Sequence, residues 1–269
     1  MKFFVILICL TIATSAYEIT ETNTRNSKQV EIKGVGVTPV QPAPYDKWYV
    51  HDPKRTQPPV TTPKYNGEPV LAPKAANVIF DGTDLKRFVN KKWPIMDKAM
   101  VVYSRFGGQK TIQEFGDIHL HVEWKSPVRD GWGQAQGNSG IFLMGRYEVQ
   151  VLNCWANRTY PDGMTGAIYG QRPPAFNACK KPGEWQVYDI HFKAPVFKDK
   201  KLVSPAYITV IFNGITIHDN YELTGITDFK KVASYRPHAA QGPITFQAHG
   251  SKVSYRNIWT CPLKLKLGK

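Results

Sequence analysis

Three short segments of the sequence carry acid, amide and imidazole groups at every second position. Carboxylates and imidazoles act as general acids and bases, and carboxylates and amides hydrogen-bond to sugar hydroxyls. The alternation therefore indicates polar surfaces suited to a hydroxyl-rich ligand, and to proton transfer at that ligand. The groups are His119, His121 and Glu123 in HLHVEWK, Glu148 and Gln150 in YEVQV, and Thr245, Gln247 and His249 in TFQAHG.

Apolar residues occupy the positions between these polar groups, which is the pattern of a β-strand with one face in a core. We predict core positions for Leu120, Val122, Trp124, Tyr147, Val149 and Val151. If the strands are neighbours, Glu123, Glu148, Gln150, Gln247 and His249 converge on one concave sheet face. The alternative is an ordinary solvated face, where each of these residue types is common.

Two glycine-framed loops, GNSG and GAIYGQRPP, flank the same strands. Glycine lets the backbone approach a ligand closely, and aromatic rings stack on sugar faces. Besides Gln150 and Gln247, the predicted substrate-binding residues are therefore Asn138, Ser139, Tyr169 and Trp185, with Trp132 and Trp155 as further aromatic candidates.

From Val78 onward the chain consists of short β-branched and aromatic runs bounded by Gly, Pro, Asn and Asp. No segment has sustained helical periodicity, and Asn213-Gly214 is a strong hairpin signal. This pattern predicts an all-β fold, a sandwich or a barrel, over residues 76–264.

The N-terminal part has a different composition. Residues 1–16 have the early Lys, apolar run and small-residue ending of a secretory signal peptide, so we expect cleavage after Ala16 and a secreted protein. Residues 17–75 are Pro-rich, which predicts an extended, partly disordered segment. We expect residues 17–40 to be loose and the remainder to lie as a strap on the following domain.

Composition and charge narrow the class of partner. The 269 residues carry a formal net charge of +14, which favours an acidic polysaccharide or a cell surface. No nucleic-acid-binding motif accompanies this charge, so we expect no nucleic acid partner. No segment after the signal peptide is long and apolar enough to span a membrane.

Secretion has consequences for the cysteines and for one asparagine. After removal of Cys9 three cysteines remain, and we predict a Cys154–Cys179 disulfide. No two of the three have zinc-site spacing. The NRT sequon predicts a glycan on Asn157.

Six segments together resemble the 3-keto-disaccharide hydrolase domain family over residues 76–262. They are VIFDGTDLKRF, FGDIHLHVEWK, GNSGIFLMGRYEVQVLN, GAIYGQRPPAFNACKKPGEWQVYDIHFKAPVF, VIFNGITIHDN and FQAHGSKVSYRNIW. The resemblance implies a concanavalin A-like jelly-roll sandwich of two antiparallel sheets. It also implies action on glycosides whose C3 hydroxyl has been oxidised to a ketone.

The resemblance places the family's acid-bearing strands on Glu123 and Glu148 and its final motif on Gln247 and His249. Ala248 departs from this motif, because the family usually has an acid there. Elimination from a 3-keto-glycoside needs a base near C2, and we predict Glu148 or His249 for it, with Glu123 assisting. A divalent cation is a candidate cofactor that Glu123 would hold. The alternatives are a lectin-like protein that binds glycans without turnover and an extracellular matrix protein.

Overall fold

The computed structural model of the chain describes residues 19–24, 27–32, 36–39, 47–128 and 132–263. The predicted signal peptide, residues 1–16, lies outside this part. The described part contains 17 strands, numbered here in chain order, and short 3-10 turns at Ser104–Phe106, Gly133–Ala135 and Pro161–Gly163. The strands are β1 (Ile19–Thr24), β2 (Ser27–Ile32), β3 (Gly36–Pro39), β4 (Asn77–Phe80), β5 (Ile95–Met96), β6 (Ala99–Val101), β7 (Gln109–Phe115), β8 (Ile118–Lys125), β9 (Ser139–Leu143), β10 (Tyr147–Val151), β11 (Gln186–Lys193), β12 (Val196–Lys198), β13 (Lys201–Ser204), β14 (Tyr207–Phe212), β15 (Ile215–Glu222), β16 (Gly242–Phe246) and β17 (Ser254–Pro262).

Two antiparallel sheets build the domain. The larger one has eight strands in the order β15-β14-β11-β8-β17-β6-β5, with β4 also paired to β17. The smaller one has four strands in the order β10-β9-β16-β7. The all-β prediction is therefore confirmed. Candidate polar strand β8 lies in the large sheet, whereas β10 and β16 lie in the small one.

One hydrophobic core joins the inner faces of both sheets, and the predicted core residues belong to it. Leu120, Val122, Trp124, Tyr147, Val149 and Val151 are all buried members of this core. The period-two alternation thus assigned the inward face of β8 and of β10 correctly.

The predicted hairpin is also present, between β14 and β15. Asn213 and Gly214 connect the two strands with φ angles of +49° and +78°. Positive φ at both central residues is what a type I′ turn requires, and Asn and Gly tolerate it best. The turn residues therefore account for the pairing of Phe212 with Ile215 and of Ile211 with Thr216, beyond which the register shifts.

The N-terminal region differs from the predicted loose chain. Strands β1, β2 and β3 pair with one another as a three-stranded antiparallel sheet. Residues 50–75 have little regular structure but hydrogen-bond to the domain. The Thr61 amide donates to the Asn177 carbonyl at 3.0 Å, and the Lys64 amide donates to the Asn213 carbonyl at 2.8 Å.

Glu123 anchors this region to the large sheet. Its carboxylate accepts hydrogen bonds from Arg256 Nε at 2.6 Å, Asn257 Nδ2 at 2.7 Å and the Val70 amide at 2.8 Å. Burial alone would raise the pKa of Glu123, but hydrogen bonds from His121, Asn257, Val70 and Arg256 outweigh it and lower the pKa to about 2. The ionised carboxylate is therefore part of the folded structure.

We predict that Glu123→Gln lowers the free energy of unfolding by about 3 kcal/mol, because it leaves Arg256 without its buried counter-ion. Because the folded pKa is depressed, the wild-type advantage should be complete above pH 4.5 and fade as the pH falls toward 2. Urea denaturation across this pH range measures both effects. Glu114→Gln, at an exposed β7 position, is the control; equal losses in the two variants would contradict the anchor.

Candidate active site

A cavity of about 440 Å³ lies on the outer side of the small sheet. This volume is within the range of small-molecule sites. Eight polar side chains and four Phe or Tyr rings line it. The lining residues are Gln134, Asn138, Phe142, Glu148, Gln150, Tyr160, Tyr169, Thr227, Asp228, Phe229, Gln247 and His249.

Strand β10 supplies the floor of the cavity. Glu148 and Gln150 alternate with its core residues and so point away from the core. β10 is an edge strand, and residues 166–169 run along its free edge: the Gln150 amide donates to the Ala167 carbonyl at 3.0 Å, and the Gly166 amide donates to the Gln150 carbonyl at 2.9 Å. This loop covers the polar face, so that Glu148 is only 4% exposed.

The Glu148 carboxyl group lies above Gly140 of the neighbouring strand β9. A Cβ atom at Gly140 would overlap Glu148 Oε1, so a larger residue there would displace the carboxyl group from this position. Burial raises the pKa of Glu148 to about 8. A carboxyl group in this state exchanges a proton near neutral pH, as catalytic acids and bases do.

A cluster of amides adjoins this carboxyl group. Gln150 Nε2 donates to Gln134 Oε1 at 3.1 Å, and Asn138 Nδ2 donates to the Gln134 carbonyl at 3.0 Å. With its amide turned over, Gln150 would instead donate to Glu148 Oε1 at 3.2 Å. The cluster therefore offers donors and acceptors for hydroxyl groups within reach of Glu148.

Two tyrosines form one wall. The hydroxyl groups of Tyr160 and Tyr169 are 3.0 Å apart, and burial raises the pKa of both, so both stay protonated. The ring of His51 packs against them, with centroid distances of 4.3 and 4.8 Å. The His51 amide donates to Asp162 Oδ2 at 2.9 Å. The N-terminal region thus supports this wall.

Gln247 and His249 follow the end of β16. The Gln247 amide donates to the Gly140 carbonyl at 2.9 Å, which extends the sheet beside Glu148. Its side-chain Oε1 is buried, and within the described ranges it has no hydrogen-bond partner, as expected for a group that awaits a ligand donor. His249 is exposed at the mouth of the cavity. Ala248 packs against the core, so its side chain is directed away from the cavity.

Most of the predicted site residues meet here, and their roles stay predictions. Glu148, Gln150, Gln247, His249, Asn138 and Tyr169 line one cavity. Ser139 lies behind it: its hydroxyl donates to the Gln247 carbonyl at 2.7 Å and accepts from the Tyr255 hydroxyl at 2.6 Å. Ser139 is therefore placed to position Gln247.

Two of the predicted residues do not belong to this cavity. Glu123 is in the large sheet, on β8, and holds the N-terminal region, so its predicted catalytic role is wrong for this cavity. On the same strand His119 and His121 both contact Asp189 at 2.9 Å. Trp185 stacks with Arg256 at 3.9 Å, likewise outside the cavity. Alternation along a strand gives the face of a residue but not the sheet to which the strand belongs.

The cavity also contains residues that the sequence did not indicate. Phe142, Tyr160 and Phe229 supply aromatic surface, whereas the expected Trp132 and Trp155 do not line the cavity. Phe229 is 61% exposed and forms the rim. Gln134 and Tyr160 lie in or beside the glycine-framed loops, which is the only signal that could have found them.

The donor set does not fit a divalent cation. Within the ranges that the structure describes, no group of three His, Cys, Asp or Glu side chains could hold a metal ion. Besides Glu148 the cavity has one other carboxylate, Asp228, and Arg236 Nη2 donates to it at 2.9 Å.

The predicted disulfide requires correction. Cys154 and Cys179 are free thiols rather than a disulfide. Both are buried, and Thr165 bridges them: its amide donates to Cys154 Sγ at 3.1 Å, and Cys179 Sγ donates to its hydroxyl at 3.3 Å. Asn157 is buried and its Nδ2 donates to the carbonyls of Gly133 and Asn153. A glycan on Asn157 stays a prediction.

Comparison with known proteins confirms the resemblance. The model of the 3-keto-alpha-glucoside-1,2-lyase-like domain matches residues 75–260. A crystal structure from Parabacteroides distasonis ATCC 8503, described as a "putative glycosyl hydrolase", is 40% identical; the match covers 78% of this chain and 93% of that chain, with a TM-score of 0.71. The chain therefore belongs to the 3-keto-alpha-glucoside-1,2-lyase-like domain family.

A second structure from the same organism, with the same description, is 18% identical, covers 72% of this chain and 99% of that chain, and has a TM-score of 0.53. At this identity the similarity concerns the fold alone. Among the curated proteins nothing matches the chain. In the described part of the chain no helix has the length and hydropathy needed to cross a membrane.

The raised pKa of Glu148 predicts a characteristic pH dependence of stability. A carboxyl group with a raised folded pKa contributes stability fully below its ordinary value of 4.5, and this contribution is lost as the pH rises toward 8. Urea denaturation should show the free energy of unfolding of the wild type falling over this range by on the order of a few kcal/mol relative to Glu148→Gln. Parallel curves for the two proteins would contradict a buried, protonatable Glu148.

The packing of Glu148 on Gly140 predicts energetic coupling between the two positions. Gly140→Ala should lower the free energy of unfolding of the wild type. The same substitution should have a much smaller effect in a protein that already carries Glu148→Ala, because the overlapping carboxyl group is absent there. A double-mutant cycle on the free energy of unfolding should give a coupling of about 1–3 kcal/mol. Additive effects would show that the carboxyl group does not occupy the space above Gly140.

Proposed function

We propose that this protein is a secreted carbohydrate-active enzyme that cleaves 3-keto-glycosides by elimination followed by hydration. The observation that carries the proposal is the Glu148 carboxyl group, buried with a pKa of about 8 on the floor of a cavity lined by amides and aromatic rings. The family to which the chain belongs supports the substrate class. We also propose that the two sheets form a concanavalin A-like jelly roll.

The reaction begins at C2 of the sugar. A ketone at C3 acidifies the C2 hydrogen, and a base removes it to give an enolate. The enolate expels the substituent at C1, which forms the C1–C2 double bond and breaks the glycosidic bond. Water then adds across this double bond, with its oxygen at C1 and a proton returned to C2. The site must provide a base, donors to the C3 oxygen and an acid for the leaving oxygen.

Glu148 is the base in this scheme. A carboxylate with a pKa of about 8 binds a proton more strongly than an ordinary carboxylate, so it is better matched to a weakly acidic C–H group. At pH 7 about a tenth of the molecules hold Glu148 ionised, and the rate should rise with pH until the group is fully deprotonated. The same group, once protonated, can return the proton to C2 during hydration.

The tyrosine wall and His249 complete the scheme. Tyr160 and Tyr169 share one hydrogen bond, which leaves one hydroxyl proton free for the C3 oxygen, where negative charge develops. Their raised pKa keeps them protonated as donors. His249 at the mouth is the acid that donates a proton to the departing oxygen in this scheme.

Direct hydrolysis by two carboxylic acids has less support. That mechanism requires a second free carboxyl group across the glycosidic bond. Asp228 is already paired with Arg236, at 2.9 Å.

A lectin-like protein would bind a sugar in the same cavity without turnover, and an activity assay separates it from the enzyme. Secretion rests on the N-terminal apolar run and is part of the proposal.

We predict that the wild type releases nitrophenol from 4-nitrophenyl 3-keto-glucoside and does not act on the unoxidised glucoside. Glu148→Gln should keep the fold and lose about 10²–10⁴-fold in kcat, because the amide cannot accept the C2 proton. Deuterium at C2 should slow the wild type. Glu114→Gln is the matched control and should retain full activity. Binding of the keto-glucoside without release would contradict the enzyme and favour a lectin.

A further inference from the structure

The cavity does not end at His249. A second depression of about 170 Å³ shares His249 with it and is also lined by Tyr103, Arg105 and Lys252. A third depression of about 210 Å³ shares Tyr103 and Lys252 with the second. The three hollows are therefore neighbours on the surface, and we call the second and third together the basic groove. Its functional side chains are Tyr103, Arg105, Lys125, Trp185 and Lys252.

The basic groove has a strong excess of positive charge. Arg105, Lys125 and Lys252 contribute three cations, and Asp97 contributes the one carboxylate of the lining. Among the described salt bridges none involves these three cations. Such cations attract an anionic ligand, and the net charge of +14 strengthens this field.

Two of the cations lie over aromatic rings of the groove. Lys252 Nζ lies 4.9 Å from the centroid of the Tyr103 ring, and Lys125 Nζ lies 4.8 Å from that of Trp185. Arg256 also stacks on Trp185, at 3.9 Å. The rings therefore hold cations at the groove, and these cations can pair with acidic substituents of a sugar. This combination suits an acidic oligosaccharide better than a neutral one.

We infer that the basic groove binds the continuation of an anionic oligosaccharide whose reacting sugar occupies the cavity. This inference rests on the proposed function, because it requires a sugar in the cavity that shares His249 with the groove. The recognised chemistry is a carboxylate or sulfate group on a sugar one or two residues away from the reacting one. Trp185, which the sequence predicted to bind substrate, then contacts this part of the ligand.

Calorimetric binding tests this inference without relying on turnover. The probes are a hexameric oligogalacturonate, a sulfated glycosaminoglycan hexasaccharide and neutral cellohexaose, at 50 and 300 mM NaCl. We expect the wild type to bind at least one anionic probe at least tenfold more tightly than cellohexaose, a difference of about 1.4 kcal/mol. The preference should decrease at the higher salt concentration. The stronger of the two anionic probes distinguishes carboxylate from sulfate.

The combined variant Arg105→Gln, Lys125→Gln and Lys252→Gln should lose at least tenfold in affinity for the anionic probe. The matched control replaces Lys198, Lys200 and Lys201 by Gln on the exposed β12–β13 hairpin, with the same change in net charge, and should lose less than twofold. Circular dichroism shows whether the combined variant is folded. The single variant Lys252→Gln tests the same groove with a smaller change.

Equal losses in both combined variants would overturn the inference, since net charge alone would then explain binding. A wild type that binds cellohexaose as tightly as the anionic probes would overturn it too, as would one that binds a single-stranded oligonucleotide more tightly than any of the sugars. These failures are distinct from failure of the proposed function. A wild type that binds the anionic probe but does not cleave a 3-keto-glucoside contradicts the proposed reaction alone.

Discussion

The burial of one carboxyl group, that of Glu148, is the constraint on which the rest of the candidate site depends. An ionised carboxylate without a counter-ion is costly to bury, so the protein holds Glu148 with a raised pKa and packs it over a glycine that leaves the necessary space. Loops along the free edge of β10 exclude water from it. The same loops place tyrosine and amide side chains beside Glu148. The buried carboxyl group is therefore surrounded by hydrogen-bonding partners.

The N-terminal region contributes to this arrangement at two separate places. Its His51 packs under the tyrosine wall and is fixed by Asp162. Its Val70 is held by Glu123 on the far sheet. The sequence predicted that Glu123 and Glu148 share one sheet face, yet their environments set their pKa values in opposite directions, to about 2 and about 8. Hydrogen-bond donors and Arg256 explain the first value, and burial without a counter-ion explains the second.

Local patterns in the sequence correctly predicted features that depend on neighbouring residues, namely strand faces and one turn. Alternation of polar and apolar residues assigned the core faces of β8 and β10, and the Asn213-Gly214 pair predicted the β14–β15 hairpin. Assignment of strands to sheets depends on long-range pairing, which alternation does not contain, so Glu123 was grouped with Glu148 incorrectly. Burial of Asn157 and the absence of a disulfide between Cys154 and Cys179 likewise depend on how loops pack. Phe229 lies in a loop whose composition carries no functional signal, and only the fold places it at the cavity.

The central claim is that the sugar lies over Glu148 with C2 facing its carboxyl group. A crystal structure of the Glu148→Gln variant soaked with a 3-keto-glucoside tests this claim most directly. We predict C2 within about 3.5 Å of the side-chain amide at position 148, and the C3 oxygen within hydrogen-bond distance of Tyr160 or Tyr169. A sugar bound with C2 turned away from residue 148, or bound against His119 and Asp189 on the large sheet, would contradict the account.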